Sequence, residues 1–350
     1  EMCISDSPMA VSSAHVDGML LSIPLRNPFV TAGGTIESRD VCLVRAENDG
    51  HVGWGEAAPF PGQDETISEL MASAATDEPT PTLLAAIDEA LADLGARAKD
   101  APLLEASTGS VPLCPAVGIE DAVATVDRAA LDGVSRFKVK IGPARISHLR
   151  EIRARHPEIL IAVDGNRSFG AGRMLELESL TPLGIAFAEE LFDDWQSHEV
   201  LQFSERTGIP HFADESVRSL ADVRRLLAIP GLDGITLKPG RLGWSGALAA
   251  RDLVRAAGKR WRSSGLLETG VGRAFSNLLA AQRDADVSDV ADARMFLIED
   301  VVDSGNGRLR SAEVAVPKGP GLGVMPDATI IDRYRVGAFS LGTWALEPGS

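Results

Sequence analysis

Two lysines separated by one residue stand inside an apolar run, FKVKIG, at residues 137–142. A buried ammonium group is costly unless it is paired or has a chemical task. Because side chains alternate along a β-strand, Lys138 and Lys140 lie on the same side of the predicted strand. Such a pair can also block aggregation at a solvated edge strand, but the apolar residues around it argue against that reading. A lysine that is partly desolvated beside other cations has its pKa lowered and can act as a general base.

Polar side chains recur at the carboxyl ends of successive predicted strands, 24 or 25 residues apart: Lys140, Asp164, Glu189, Asp214, Lys238 and Ser263. A solenoid also has a fixed period, but its repeats usually share a sequence signature, whereas these share only a strand, a polar end and a helix. A closed (β/α)₈ barrel fits better, because charged residues at the carboxyl ends of its strands converge on one mouth. The period therefore places these side chains in one site.

Three of these residues, Asp164, Glu189 and Asp214, are carboxylates on adjacent strands. Three carboxylates do not stay ionised together without a compensating cation. Hard oxygen ligands without nearby Cys or His favour Mg²⁺, with Mn²⁺ as the alternative. Any one of them could instead cap a helix N-terminus. Lys138 and Lys140 on one side and Lys238 on the other would hold an anionic substrate between two faces, while the metal stabilises charge on a substrate carboxylate that loses its α-proton.

The elements that must position these residues form two units. Residues 1–110 combine strand-like runs with helical patterns at 66–75 and 81–98, which predicts an α+β domain. Two glycine-bearing stretches within it, 26–40 and 53–66, are predicted to be long irregular loops that act as lids. Residues 111–310 read as successive βα units with a parallel sheet, and the predicted strands are 113–119, 136–142, 159–166, 184–190, 209–216, 234–240 and 261–270.

Composition bounds the class of protein. The 34 basic and 50 acidic residues give a net charge of −16, which argues against a nucleic-acid partner. With 45% hydrophobic residues and no apolar run of about 18 residues, we expect a soluble, cytoplasmic protein without a membrane partner. The first residues do not resemble a secretory signal. Three separated cysteines, Cys3, Cys42 and Cys114, match no zinc spacing and are expected to be free thiols.

The ordered motifs KVK, VDGN, AEE, ADES, LKPG and SSGLLETGVGRA resemble the enolase superfamily, specifically its muconate-lactonizing subgroup. The resemblance covers almost the whole chain and implies a modified TIM barrel, an N-terminal α+β capping domain, and a C-terminal segment, residues 311–350, that returns to the cap. It implies a Lys base with Mg²⁺, a pairing already described for this superfamily.

Carried across residue by residue, the resemblance assigns Asp164, Glu189 and Asp214 as metal ligands and Asn166 as a supporting residue. It implies Lys140 as the acid/base, Lys138 as the residue that tunes it, and Lys238 as a second base or a cation on the opposite face. One departure is Leu191 after the AEE motif, where the family often has proline. This leaves the second ligand open between Glu189 and Glu190, and the 25-residue spacing favours Glu189.

Within the subgroup, GLLETGVGRA resembles o-succinylbenzoate synthases and N-succinylamino acid racemases, and the Asp-x-Asp pair of dipeptide epimerases is not evident. The resemblance implies a hydro-lyase of menaquinone biosynthesis, with a racemase, or both activities, as the alternative. Another acid-sugar dehydratase or epimerase, or a non-catalytic metal-binding barrel, stays open. We expect a small carboxylate substrate, while homo-oligomerisation is left open. The predicted substrate contacts are Asn166, Ser263, Ser264, Gly265 and Glu268.

Overall fold

The computed structural model describes residues 13–31, 34–76, 78–170, 172–302 and 312–346. The N-terminal unit begins with strands β1 (Ser13–Thr31), β2 (Gly34–Asn48) and β3 (His51–Ala57), followed by helices α1 (Ile67–Ser73) and α2 (Pro81–Ala98). Helix α1 starts with a capping box, in which Thr66 and Glu69 each satisfy an amide of the other. Helix α2 starts with proline at its first turn, where no amide hydrogen is needed.

The expected lid loop at 26–40 is instead a continuation of the β1–β2 hairpin. Phe29 pairs with Ile36, Val30 with Thr35 and Thr31 with Gly34 across the two strands. Aromatic and β-branched residues of this kind favour an extended backbone, and the pairing of the two strands reaches Gly34. The side chains of Phe29 and Val30 lie outside the described part of the chain. The second expected loop is also partly strand, because β3 covers its first residues.

The remaining elements form the barrel and return to the cap. They are, in order, β4 (Ser110–Pro112), β5 (Ala116–Val117), α3 (Ala122–Leu131), β6 (Arg136–Lys140), α4 (Ser147–Arg155), β7 (Leu160–Asp164), α5 (Met174–Glu178), β8 (Ile185–Glu189), α6 (His198–Thr207), β9 (His211–Ala213), α7 (Leu220–Leu227), β10 (Gly234–Leu237), α8 (Pro239–Ala256), β11 (Arg260–Ser263), α9 (Gly270–Ala280), β12 (Glu313–Ala315), α10 (Ala328–Tyr334) and β13 (Arg335–Ala345).

Seven of these strands make one parallel sheet, in the order β11-β10-β9-β8-β7-β6-β5, so each strand lies beside its neighbour in sequence. The cap sheet has the order β13-β1-β2-β3, and β13 pairs antiparallel with β1. A curled parallel sheet with helical connections and an antiparallel cap confirms the predicted fold class, a modified α/β barrel with an N-terminal α+β capping domain. No helix of the described ranges is long and apolar enough to cross a bilayer.

The packing of the apolar core explains why polar residues occur at the ends of the strands. Within β6, Phe137 and Val139 are fully buried in the main apolar cluster, and Ile161 and Val163 of β7 join the same cluster. The polar residues that end each strand lie where this packing stops and the mouth begins. Cys42 and Cys114 are buried free thiols, as expected, and Cys3 lies outside the described residues.

Candidate functional site

The parallel register aligns three strand-end residues side by side. Lys140 pairs with Asp164 across β6 and β7, and Asp164 pairs with Glu189 across β7 and β8. Asp214 follows the last residue of β9, and Lys238 follows the last residue of β10. The 24- to 25-residue spacing thus becomes one row across five neighbouring strands.

Lys138 lies within a group of carboxylates. Its Nζ is 2.8 Å from Glu189 Oε2, 2.9 Å from Asp289 Oδ2 and 3.4 Å from Asp164 Oδ2. Burial disfavours the ammonium form, but Asp289, Glu189 and Asp164 together hold the pKa of Lys138 well above its usual value. Lys138 is therefore a permanent cation in this structure, and the apolar strand tolerates it because it is ion-paired.

Glu189 has a second cationic partner, Arg262, on the edge strand β11 of the sheet. Its Oε1 accepts hydrogen bonds from Arg262 and from the hydroxyl of Thr236. The Arg262 guanidinium is fully buried and stacks 4.6 Å from the centre of the Phe187 ring. Burial opposes ionisation of Glu189, but Arg262 and Lys138 hold its pKa below the usual range. Glu189 therefore stays ionised at the barrel mouth.

Glu190 is buried in a different environment. It accepts hydrogen bonds from the Asp214 amide at 2.7 Å, from Arg167 Nε at 2.9 Å and from the Ser216 hydroxyl. Its φ of 40° lies in the left-handed region, which is strained for a residue other than glycine. Because Glu190 fixes the start of the β9–α7 connection rather than facing Lys138, its placement supports Glu189 as the proposed second ligand.

Leu191 occupies the position where the resemblance leads one to expect proline. Unlike proline, it has an amide hydrogen, and this amide donates to His211 Nε2 at 3.3 Å. His211 is fully buried and stacks on Trp195 with a centroid distance of 4.4 Å. Burial lowers the pKa of His211 to about 3, so its ring is neutral and Nε2 accepts. The departure at Leu191 is thus matched by an imidazole acceptor on the next strand.

On the other side of the row, Lys238 is bound to Asp214. Its Nζ lies 2.7 Å from Oδ1 and 2.8 Å from Oδ2 of that carboxylate. Arg241, in the first turn of α8, adds a second cation 3.8 Å from Asp214 Oδ1. Lys238 and Lys140 therefore flank the carboxylate row from β10 and β6.

Lys140 is partly exposed, in contrast to the buried Lys138. Its Nζ donates to Asn166 Oδ1 at 2.8 Å, and Asn166 Nδ2 donates to Glu215 Oε1 at 2.6 Å. Burial, together with Asp214 and Asp164, raises the pKa of Glu215 to about 8. The predicted supporting residue Asn166 thus bridges the predicted base to a buried carboxyl group.

The predicted substrate contacts after β11 are largely engaged within the protein. Ser263 Oγ donates to the Ser276 carbonyl at 2.8 Å, and Ser264 Oγ donates to Asp289 Oδ2 at 3.1 Å. Glu268 is buried and lies 3.1 Å from Arg273 Nε. A Cβ at Gly265 would come within 2.4 Å of the Glu268 carboxylate, so a larger residue there would require that side chain to move. Their contact with substrate stays a prediction.

The donor chemistry fits a divalent metal, although the described residues form no ready group of three or more His, Cys, Asp or Glu side chains around one point. Asp164, Glu189 and Asp214 are hard oxygen donors at neighbouring strand ends. Lys138 and Lys238 occupy them as ion-pair partners, and Asp214 is buried with its Oδ1 2.7 Å from Lys238 Nζ. A metal at this row would compete with the two ammonium groups.

Several residues of the site were not found from the sequence. Arg262 is the next-to-last residue of β11, and its partner Glu189 is 73 positions earlier. Asp289 lies in an acidic segment, DADVSDVADAR, where no spacing distinguishes one aspartate from the next. Gln63 and Asp64 come from the cap. The sequence signal for Arg262 was available, because a charge within a buried strand needs a partner.

The residues and the fold agree with relationships to known proteins. Residues 121–330 match the family described as enolase C-terminal domain-like. The chain is 28% identical over 365 residues to an o-succinylbenzoate synthase of Geobacillus stearothermophilus, covering 93% of this chain and 96% of that protein. It is 27% identical over 362 residues to an N-succinylamino acid racemase of an Amycolatopsis species, covering 92% and 97%.

A solved structure of an enolase superfamily member from Listeria innocua superposes with a TM-score of 0.84. The alignment covers 97% of this chain and 100% of that one at 23% identity, so this likeness speaks to the fold alone. The family match, by contrast, spans the strands β6 to β11 that carry the lysines and the carboxylate row. The chain belongs to the enolase C-terminal domain-like family of the enolase superfamily.

Proposed function

We propose that this enolase superfamily enzyme is an o-succinylbenzoate synthase. The substrate would be 2-succinyl-6-hydroxy-2,4-cyclohexadiene-1-carboxylate, and the reaction would be the syn loss of water in menaquinone biosynthesis. The observation that carries the α-proton chemistry of the proposal is the placement of Lys140 and Lys238 on either side of the carboxylate row. The synthase named among the relatives, matched over nearly its whole length, supports this choice of substrate.

In this proposal Asp164, Glu189 and Asp214 hold Mg²⁺, with Mn²⁺ as a substitute. The metal would stabilise negative charge on the substrate carboxylate. Lys140 removes the α-proton as general base and returns it to the departing hydroxide on the same face, so that water leaves. Lys238 stays protonated over the opposite face, where an ammonium can contact the ring.

Lys138 and Arg262 have a separate task in this scheme. They keep Glu189 ionised and fixed, so that its carboxylate is available without a proton. Asn166 orients Lys140 through the bond to its Nζ. Positioning of this kind matters because a displacement of about 1 Å at a reacting group can cost on the order of 100-fold in rate.

N-succinylamino acid racemase is the second candidate, and the lysine arrangement favours it equally. A racemase needs one acid/base group on each face of the α-carbon, which Lys140 and Lys238 would supply. The racemase named among the relatives, matched over almost the same share of the chain, supports this alternative. The two activities use the same groups, so one site could serve both.

The test compares both substrates with Mg²⁺. Conversion of the cyclohexadiene carboxylate is followed by absorbance, and loss of the α-proton signal of N-succinylphenylalanine is followed by NMR in D₂O. Dehydration that disappears in Lys140→Ala supports the synthase. Exchange without dehydration would reject the synthase in favour of the racemase. Turnover of neither substrate, with Lys140→Ala the same as the parent, would point to another acid or to a non-catalytic barrel.

A further inference from the structure

Gln63 lies in a tight turn of the cap between β3 and α1. The amides of Gln63 and Asp64 both donate to the Phe60 carbonyl at 3.0 Å, and the Phe60 amide donates to Asp64 Oδ2 at 2.9 Å. These bonds close the turn on itself. The two side chains after its apex therefore project from a defined backbone toward the barrel.

The nitrogen and the oxygen of the Gln63 side-chain amide both form hydrogen bonds with residues of the barrel. Nε2 donates to Glu215 Oε1 at 3.2 Å, and Oε1 accepts from Arg241 Nη2 at 2.8 Å. A carboxyl oxygen and a guanidinium require opposite ends of an amide, so these partners determine its orientation. Gln63 thus joins two barrel residues that have no hydrogen bond to each other among the described contacts.

Each partner of Gln63 leads to a different lysine. Glu215 Oε1 also accepts from Asn166, whose own oxygen receives Lys140 Nζ at 2.8 Å. On the other branch, Arg241 lies 3.8 Å from the carboxylate that binds Lys238. One cap side chain is therefore the point where a hydrogen-bond path from Lys140 meets a path from Lys238 that includes the 3.8 Å ion contact between Arg241 and Asp214.

Asp64 ties the same turn to the barrel with charge. Its carboxylate receives Arg241 Nε at 3.0 Å and Nη2 at 3.2 Å, and both side chains are only 3% exposed. Arg218 lies 3.8 Å from Asp64 and also donates to the Gln63 carbonyl. Buried two-point pairs of this kind have a defined geometry, so the seated turn holds Gln63 in one place.

We propose that Gln63 is a positioning residue that orients Lys140 and Lys238 together when the cap turn is seated on the barrel. The proposal deepens the proposed function and rests on it. A carboxylate substrate that loses its α-proton would meet two correctly placed lysines only when the turn is seated on the barrel. Cap residues and barrel residues thereby complete one site, in the manner of lids that finish a catalytic arrangement on closure.

The main test uses Gln63→Leu, which removes both ends of the amide at similar size. Its matched control is Gln196→Leu, at an exposed glutamine in the connection before α6. Exchange of the α-proton is measured in D₂O with each enantiomer of N-succinylphenylalanine, because each enantiomer presents its proton to a different lysine. We expect Gln63→Leu to lower kcat for both enantiomers about tenfold or more with a smaller change in KM, and the control to match the parent.

A second variant distinguishes the path from Gln63 to Lys140 from the path to Lys238. Gln63→Glu keeps an oxygen for Arg241 but removes the donor to Glu215, so exchange at the Lys140 face falls more than exchange at the Lys238 face. Equal rates in Gln63→Leu and the parent would overturn the proposal. So would a loss confined to one enantiomer in Gln63→Leu, or a loss explained by a lower folded fraction in thermal unfolding.

A measurement without substrate decides the case even if the parent exchanges neither enantiomer, a result that would reject the racemase alternative and leave the synthase to be tested by dehydration. Trace acetylation followed by peptide mass spectrometry reports how readily each lysine reacts. In Gln63→Leu we expect the rates at Lys140 and Lys238 to change several-fold, while Lys259, which lies between α8 and β11 and donates to the Leu232 carbonyl, is unchanged. Unchanged rates at Lys140 and Lys238 would contradict the coupling.

Discussion

Lys138 and Lys140 differ in burial and in partners although they share one face of β6. Lys138 is almost fully buried among Glu189, Asp289 and Asp164, whereas Lys140 is partly exposed and bonded to Asn166. Removing one partner of a buried charge cluster leaves the others uncompensated. The first lysine of the pair is therefore expected to govern stability and the second to govern chemistry.

Lys138→Ala is expected to lower the free energy of unfolding by about 3 kcal/mol or more, because three carboxylates lose their shared cation. Lys140→Ala is expected to cost about 1 kcal/mol or less and to abolish turnover. Urea unfolding of the two variants and the parent measures the difference. Equal destabilisation by the two substitutions would contradict this division of roles.

His211 provides a test by NMR. Because burial lowers its pKa to about 3, the imidazole gains no proton between pH 5 and pH 8, and its native contacts do not weaken in that range. The Leu191 amide donates to Nε2, so the proton is on Nδ1. Long-range ¹H–¹⁵N spectra of histidine-labelled protein should show one neutral Nδ1–H ring that does not titrate. A titration near pH 6.5, or the other tautomer, would disprove this arrangement.

At the scale of elements, the cap and the barrel meet at the start of α9. Glu56 of β3 accepts the amides of Thr269 at 2.8 Å and Gly272 at 2.9 Å, and the Thr269 hydroxyl at 2.6 Å. Arg39 of β2 donates to carbonyls on both sides, among them Ala58 and Leu266. Glu56, on a strand of the capping domain, thus caps the N-terminus of a barrel helix.

Glu56 gives this junction a pH dependence. Burial raises its pKa to about 7, against hydrogen bonds from Thr269 and Gly272, and the neighbouring Glu268 raises it further. The folded state then holds a proton that the unfolded state releases near pH 4.5. Stability is therefore expected to fall as the pH rises from about 5 to 7 and to stay lower above that range.

The measurement is urea unfolding of Glu56→Gln and the parent at pH 5.5 and pH 8. The advantage of the parent over the variant should shrink by on the order of 2 kcal/mol at the higher pH. Asp300 and Glu89 are also buried with raised pKa values, so some slope persists in the variant. A difference independent of pH would show that Glu56 does not titrate in this window.

The amides at the start of helix α9 are already bound by side chains of the protein. The amides of its first turn are taken by Glu56, by Asp300 and by the Thr269 hydroxyl. These groups leave no open amide cluster at that end for an anionic substrate. Positive charge for a carboxylate substrate is therefore expected from cationic side chains or from the proposed metal rather than from the amides at the start of α9.

At the scale of the whole molecule, the stability of the folded chain is expected to depend on binding of the proposed metal. A metal that binds the folded chain alone stabilises it by about 3 kcal/mol at a concentration 100 times its Kd. Mg²⁺ is thus expected to raise the melting temperature of the parent. Asp214→Asn should lose most of this shift, while Asp252→Asn, at an exposed aspartate, should retain it. Equal shifts in both variants would argue against Asp214 as a ligand.

Much of the fold was predictable because its signals are local. Alternation within FKVKIG, the length of each apolar run and the polar residue at its end predict seven strands, and each overlaps a strand of the sheet. The end of the strand predicted at 261–270 is wrong, because β11 stops at Ser263. The strand predicted at 113–119 is only Ala116–Val117, because the preceding Pro115 has no amide hydrogen for a ladder. The stretch 26–40 differs from the expected loop because its aromatic and β-branched residues favour an extended backbone.

The sequence by itself determined which residues stand at the strand ends, since a 25-residue βα repeat brings Lys140, Asp164 and Glu189 into register. It did not determine their partners. Arg262 contacts Glu189, and Asp289 contacts Lys138, because the sheet curls. Gln63 contacts Glu215 and Arg241 because the cap folds over the mouth of the barrel. Contacts of that kind depend on the relative placement of distant segments, and only tertiary packing decides it.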